Sequence, residues 1–194
     1  MRRSATTPVI LFALAFGGCV ASGAVPSTLS ADLAEAPPEV EARLWLAGDR
    51  VVAVAIPLGP GWLTPPVRTT LQAVAPDGAT TFTAREHGPR GSGFRVEKHY
   101  QDPLHDRSVL IADDGAVLER AHTVAIPDVA QDVLAAALRV GPKVTAAWIV
   151  SGPVAEEYWD LVVQDRDGQS IALRISLDGR ELARSRRGRA RVDS

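Results

Sequence analysis

Cysteine is almost absent from this chain, which has one, Cys19, among 194 residues. A framework of internal disulfides is therefore excluded. Aromatic residues make up only 5%, and neither sign of charge dominates, with 21 Lys and Arg against 23 Asp and Glu. Because the formal net charge is −2, the chain has no general attraction for nucleic acid, and we expect no nucleic-acid partner.

Long hydrophobic runs are also lacking. The run from Val9 to Phe16 has 8 apolar residues, whereas a membrane-spanning helix needs about 20. It follows the positive pair Arg2 and Arg3 and precedes small residues, which is the layout of a secretory signal peptide. We therefore predict a signal peptide over residues 1–18 and a mature protein outside the cytoplasm.

The cysteine stands directly after this segment. Phe16-Gly17-Gly18-Cys19 resembles the lipobox of bacterial lipoproteins, which implies that Cys19 carries lipid, begins the mature chain and anchors it to the cell envelope. Val20, in place of Asp, is similar to lipoproteins of the outer membrane in cells with two membranes. Cleavage after Ala21 or Ala24 would instead release a soluble secreted or periplasmic protein. A free thiol or an intermolecular disulfide is a third possibility.

A flexible tether and then an internal repeat are predicted after the signal. Residues 19–39 are rich in Ala, Ser and Pro and offer little to bury. Further on, residues 114–120 and 178–184 share Asp, Gly, Leu and Arg at a constant offset of 64. The offset indicates two copies of one unit, although two ordinary hairpin turns would also produce the match. The predicted division is 40–126 for the first copy with an extra hairpin, 127–187 for the second, and 188–194 for a basic tail.

Each copy is predicted to begin with a helix and to continue with strands. Thr64 can cap a helix that starts at Pro65-Pro66, and Pro127 can open a second helix that ends at Gly141-Pro142. After each helix the apolar period changes to 2, and Asp-Gly pairs mark tight turns. The predicted strands are 79–86, 93–100, 108–112, 116–125, 143–150, 157–164, 170–176 and 180–186, with a hairpin of 43–47 and 51–56 before the first helix.

These elements predict an α+β fold. We expect two tandem repeats, each a helix packed on an antiparallel meander sheet of three to four strands, preceded by an extra β-hairpin. A unit of about 60 residues buries only ~60% of its unfolded surface. The two copies are therefore expected to pack together or to form one continuous sheet.

The element order and its aromatic-led strands carry a family resemblance. Phe94-Arg95-Val96, Tyr158-Trp159-Asp160-Leu161 and the strands that end in Asp-Gly resemble the PepSY and PepSY-like family over about 66–187. The resemblance implies a small extracytoplasmic module that binds or inhibits proteins. It implies neither catalytic residues nor a cofactor.

One loop has side chains that could ligate a metal. His99 and His105, with Asp102 and Asp106, would form a zinc site only if they converged. Pro103 and the expected hairpin loop favour a polar loop instead.

Two further features are candidates for binding a partner. Arg186, Arg187 and Arg189 could bind anionic lipid, although a solvated, frayed tail would have the same composition. Trp62 stands in a Pro/Gly-rich loop and is expected to be exposed. Trp148 is expected in the core, on one strand face with Val144 and Val150.

The sequence thus predicts a non-enzymatic cell-envelope lipoprotein without a cofactor. It would bind or modulate a protein partner through an exposed strand edge or sheet face. Two alternatives stay open, namely a structural lipoprotein with a role in assembly, and a hydrolase or metal-binding protein that uses the His99/His105 loop.

Overall fold

A computed structural model describes residues 40–153 and 155–192. The predicted signal peptide, the lipidation of Cys19 and the tether lie outside the described residues and stay predictions. None of the helices in the described part is long and apolar enough to cross a membrane.

Ten antiparallel strands form one closed barrel. Each strand pairs with its neighbour in the chain, and the first also pairs with the last. The strands are Val40–Ala47 (β1), Arg50–Pro57 (β2), Ala79–Gly88 (β3), Gly91–His99 (β4), Arg107–Ile111 (β5), Val117–Thr123 (β6), Lys143–Gly152 (β7), Ala155–Gln164 (β8), Ser170–Ser176 (β9) and Glu181–Val192 (β10). The α-helices of the described residues are Pro65–Val74 (α1) and Gln131–Leu138 (α2).

Local sequence explains where most of these elements begin and end. The predicted hairpins are confirmed, and the glycines of two Asp-Gly turns, Gly115 and Gly179, have φ angles of 91° and 84°. Residues other than glycine rarely adopt such angles, so glycine at these positions allows the tight turn.

The two helix starts differ in detail from the prediction. α1 begins at Pro65 after Thr64, but the Thr64 hydroxyl donates to the carbonyl of Asp113 (3.4 Å) and does not cap the helix. Pro127 lies in a short 3₁₀ turn, Ile126–Asp128, and α2 begins only at Gln131. α1 therefore begins at the predicted proline without the predicted cap, whereas α2 begins later than predicted.

The hydrophobic core lies outside the barrel, between the helices and the outer faces of the strands. Under α1, buried Val67 and Leu71 pack with Phe94, Val96 and Ile111. Under α2, the corresponding cluster is larger, and its buried members include Val133, Ala137, Trp159, Leu161, Leu173 and Ile175. Each helix therefore buries its apolar face against one part of the same sheet.

The predicted α+β fold, two tandem repeats that each pack a helix on a meander sheet of three to four strands, is wrong, because the described strands form one closed ten-stranded barrel. β6 pairs with β7, from Arg120 opposite Ser151 to Thr123 opposite Trp148, so the strands of the two expected copies share one sheet. The extra hairpin is part of that sheet too, because β1 pairs with both β2 and β10. An isolated meander would leave two unpaired edges, which closure removes.

A bulge changes the face on which Trp148 lies. The register between β7 and β8 shifts between Val144 and Ala146, which reverses the alternation of side chains along the rest of β7. Val144 belongs to the core under α2, whereas Trp148 packs beside Val150 and Tyr158 on the inner face of the barrel. The prediction that Trp148 and Val144 share a face is therefore wrong.

We expect Leu161→Ala to lower the free energy of unfolding by about 2–5 kcal/mol, because Leu161 is fully buried under α2 and its removal leaves a cavity. Leu182→Ala is the matched control, since Leu182 is 48% exposed. Urea unfolding of both variants measures the difference. Equal losses would contradict the assignment of the main core to the space under the helix.

Candidate functional site in the barrel interior

The inner face of the barrel encloses a cavity of about 570 Å³. Because side chains alternate along a strand, the residues that do not pack under the helices point into this interior. Its lining includes eight Arg or Lys and five Asp or Glu, together with Trp45, Phe82 and Trp148. The interior thus carries an excess of positive charge, although the chain as a whole has a net charge of −2.

At its more buried end, Arg95 joins two glutamates. The guanidinium donates to both carboxylate oxygens of Glu86 at 2.8 and 2.9 Å and lies 2.8 Å from Glu119. The side chains of Arg95 and Glu119 are only 11% and 5% exposed. Burial lowers the pKa of Arg95, but the two carboxylates outweigh that effect and raise it above the usual range. This contact joins β3, β4 and β6 from the inside.

A phenol and a second arginine complete this end. Tyr158 donates its hydroxyl to Glu119 at 3.1 Å, and Arg90, from the turn between β3 and β4, lies 4.8 Å above the Tyr158 ring. Burial raises the pKa of Glu119, but Arg95 above all, with Arg174 and Arg90, outweighs it and the net shift is downward. Burial, with Glu119, raises the pKa of Tyr158, so the phenol stays a hydrogen-bond donor.

The other end is open to solvent. Arg43 on β1 pairs with Glu97 on β4 at 2.7 Å, and their side chains are 43% and 36% exposed. Arg43 also lies over the Phe82 ring at 3.5 Å. At the rim, Arg189 pairs with Glu41 at 3.1 Å. The interior is therefore more accessible at Arg43 and Glu97 than at the network around Arg95.

Between these two ends lie Asp160, Arg174 and Arg187. Asp160 is directly opposite Arg174 in the pairing of β8 with β9, and its Oδ1 is inaccessible and has no hydrogen-bond partner in the described part of the chain. Burial, together with Glu119, raises the pKa of Asp160, and the opposing effects of Arg187 and Arg174 do not cancel the rise.

The two arginines lack carboxylate partners of their own. Arg174 lies over the Tyr158 ring at 5.5 Å and Arg187 over the Trp148 ring at 5.7 Å. Within residues 40–153 and 155–192, neither guanidinium makes a hydrogen bond or an ion pair. Burial lowers the pKa of Arg187, helped by Arg43 and opposed by Asp160 and Glu97. We call Arg174 and Arg187 the arginine pair.

The candidate metal ligands His99, Asp102 and His105 line one pocket at the surface, but the two histidines pair with different carboxylates and do not form one ligand set. His99 contacts Asp106 at 3.0 Å, and His105 contacts Asp102 at 3.1 Å, as two separate pairs at the surface. Asp102 also accepts from the Leu104 backbone and so helps to form the loop. Among the described residues there is no group of three or more His, Cys, Asp or Glu that could hold a metal ion.

The predicted partner-binding residues separate into different environments. The alternative of a frayed tail is wrong for residues up to 192, because β10 pairs with β1 as far as Val192. Arg187 and Arg189 line the interior, whereas Arg186, one position along the strand, lies on the opposite face. Trp62 is 47% exposed, which confirms the expectation that it lies at the surface.

Sequence reasoning missed the interior altogether. Glu86, Arg95, Glu119, Asp160 and Arg174 all stand at alternate positions of predicted strands. In an antiparallel sheet such positions ordinarily face solvent, so their charges looked like a hydrated surface. In β4 the charged residues Arg95 and Glu97 alternate with apolar Phe94 and Val96, and this alternation was the available signal. Only closure of the sheet shows that the charged side chains face an interior.

Similarity to known proteins is confined to the fold. No family model and no curated protein matches the chain. It is similar to the crystal structure of "putative periplasmic proteins" from Bacteroides eggerthii, with a TM-score of 0.50 and 14% identity over 65% of this chain and 90% of that one. A DUF2874 family protein from Bacteroides uniformis has a TM-score of 0.49 and 13% identity over 64% of this chain and 90% of that one. The PepSY-like resemblance gains no support from these comparisons.

We expect Arg95→Met to lower the free energy of unfolding by about 3–5 kcal/mol, because Glu86 and Glu119 would lose their shared partner while buried. Arg184→Met removes the exposed pair between Arg184 and Glu181 and should cost less than about 1 kcal/mol. Chemical denaturation at pH 7 compares the two. A similar, small cost for both would show that the interior is hydrated like a surface.

The two inner carboxylates should respond to pH in opposite ways. Glu119 has a lowered pKa, so it stabilises the fold above its ordinary pKa and loses that effect as pH falls through the folded value. Asp160 has a raised pKa, so its stabilising effect is complete below its ordinary pKa, about 3.9, and is lost as pH rises. Asp160→Asn should therefore raise the melting temperature at pH 7.5, by an amount that shrinks towards pH 4. Glu119→Gln should lower it at pH 7.5, and an equal sign for both variants would contradict this assignment.

Proposed function

We propose that this protein is a non-enzymatic cell-envelope lipoprotein that binds a small-molecule ligand in the barrel interior. The observation that supports it is the charged cavity of about 570 Å³, lined also by Trp45, Phe82 and Trp148, whose volume is within the usual range for ligand sites of roughly 300–1,000 Å³. An interior needed only for stability would be better filled by apolar side chains, since buried ion pairs contribute little net stability.

The place in the envelope is supported by the N-terminal sequence. The pair Arg2 and Arg3, the run from Val9 to Phe16 and Cys19 have the order of a lipoprotein signal. The description of the Bacteroides eggerthii protein, a fold neighbour, as periplasmic is consistent with that compartment. Two or more acyl chains on Cys19 would hold the protein stably at a membrane, and the residues that follow would join the anchor to the barrel.

Binding of a protein partner is the second candidate. One of the two expected modes, addition of a strand to a free sheet edge, has no edge to use in the described sheet, because the barrel is closed. Trp62, 47% exposed beside the start of α1, is the feature that favours a protein contact. Tryptophan is common among the residues that dominate binding energy at interfaces.

The anchor is tested by Cys19→Ala. We expect the wild-type protein to sediment with membranes and to carry lipid, and the variant to be recovered in the soluble extracytoplasmic fraction. Val20→Ala is the control and should stay with the membrane. Unchanged membrane association of Cys19→Ala would overturn the anchoring part of the proposal.

Ligand binding is tested on the exported Cys19→Ala protein, which is complete apart from the lipid and needs no detergent. N-phenyl-1-naphthylamine, a neutral fluorescent probe, and its sulfonate analogue 1-anilinonaphthalene-8-sulfonate report occupation of the interior. Thr123→Trp narrows the cavity from its lining, whereas His122→Trp adds the same bulk on the opposite face of the same strand. We expect the starting protein and His122→Trp to bind the probes and Thr123→Trp to lose this binding. A starting protein that binds neither probe would contradict the proposal.

A further inference from the structure

We propose that the interior ligand is an organic anion, a carboxylate, sulfonate or phosphate with a flat apolar body, held through its oxygens by Arg174 and Arg187. This inference rests on the proposed ligand site in the barrel interior. It assigns to that site the charge and shape of what it binds.

The negative charge of the ligand follows from the two inner arginines that have no carboxylate partner. Arg43, Arg90 and Arg95 each have a glutamate within 4.0 Å. Arg174 and Arg187 have none in the described part of the chain, and they lie over the faces of two aromatic rings. A guanidinium that lies over a ring keeps its N–H edge free, and a planar fork of donors suits a two-oxygen anion.

Asp160 offsets the charge of the arginine pair only in part. It interacts electrostatically with both arginines but makes no ion pair with either, and burial raises its pKa above the ordinary value despite them. A raised pKa favours the neutral carboxyl group, which does not repel an anion. The other charged groups that act on Asp160 are Glu119 and Arg95, across the barrel.

The aromatic residues that line the cavity indicate a ligand with a flat apolar body. Trp45, Phe82 and Trp148 line the cavity together with Val150. Aromatic rings present broad apolar surfaces that favour stacking with flat ligands. Arg187 lies over the Trp148 ring, so one ligand could meet both an apolar surface and a guanidinium group.

The matched probes separate charge from shape. In the Cys19→Ala protein, we expect 1-anilinonaphthalene-8-sulfonate to bind at least about tenfold more tightly than the neutral N-phenyl-1-naphthylamine, because each charge-assisted hydrogen bond contributes at that scale. Arg174→Gln and Arg187→Gln should each weaken sulfonate binding about tenfold and leave neutral binding unchanged. Arg186→Gln, on the opposite face of β10, should change neither.

Two further measurements keep the inference falsifiable if a glutamine variant does not fold. Arg187→Lys keeps the charge but removes the planar fork, and it should weaken sulfonate binding several-fold while the neutral probe binds as before. Sulfonate affinity should also rise as the pH is lowered, since protonation of Asp160 removes a repulsion, and this rise should vanish in Asp160→Asn.

The outcomes distinguish the two proposals. Equal affinity for both probes, or equal losses from Arg186→Gln and Arg187→Gln, would overturn the anion assignment and leave ligand binding in place. Failure of both probes to bind would overturn the ligand site itself.

Discussion

The pairing of β1 with β10 is the interaction on which the rest of the structure depends. It joins segments such as Glu41 and Arg189, 148 residues apart, and it turns an open antiparallel sheet into a barrel with an inside and an outside. In an open sheet the inner charges would lie in water, where an ion pair is worth little. Inside a barrel they lose hydration, and each must find a partner or remain at a cost.

Closure also explains why the apolar core lies outside the strands. α1 and α2 cover apolar outer faces, while the inner face holds ion pairs and aromatic rings. The apolar core and the proposed ligand site thus lie on opposite faces of the same strands. Because alternate residues belong to opposite faces, a change at the arginine pair need not disturb the core beneath either helix.

Strand and hairpin positions could be predicted because they depend on local patterns. Period-2 apolar residues and the Asp-Gly turns at Gly115 and Gly179 specify their own conformation. The predictions failed at positions whose environment is set by contacts with residues distant in the sequence. A bulge near Val144 moved Trp148 to the inner face, and the apparent tail after Arg187 became a strand through its pairing with β1.

The sequence by itself determined the positions of most strands, which helical faces are apolar, and that Cys19 follows an export-like segment. Only the tertiary structure decided that the second face of those strands is an enclosed interior and not a hydrated surface. The physical reason is the sequence distance over which each feature is set. The alternation of side chains is set by neighbours along the chain, whereas closure depends on pairing between its two ends, and closure alone gives Arg95, Asp160 and the arginine pair their common environment.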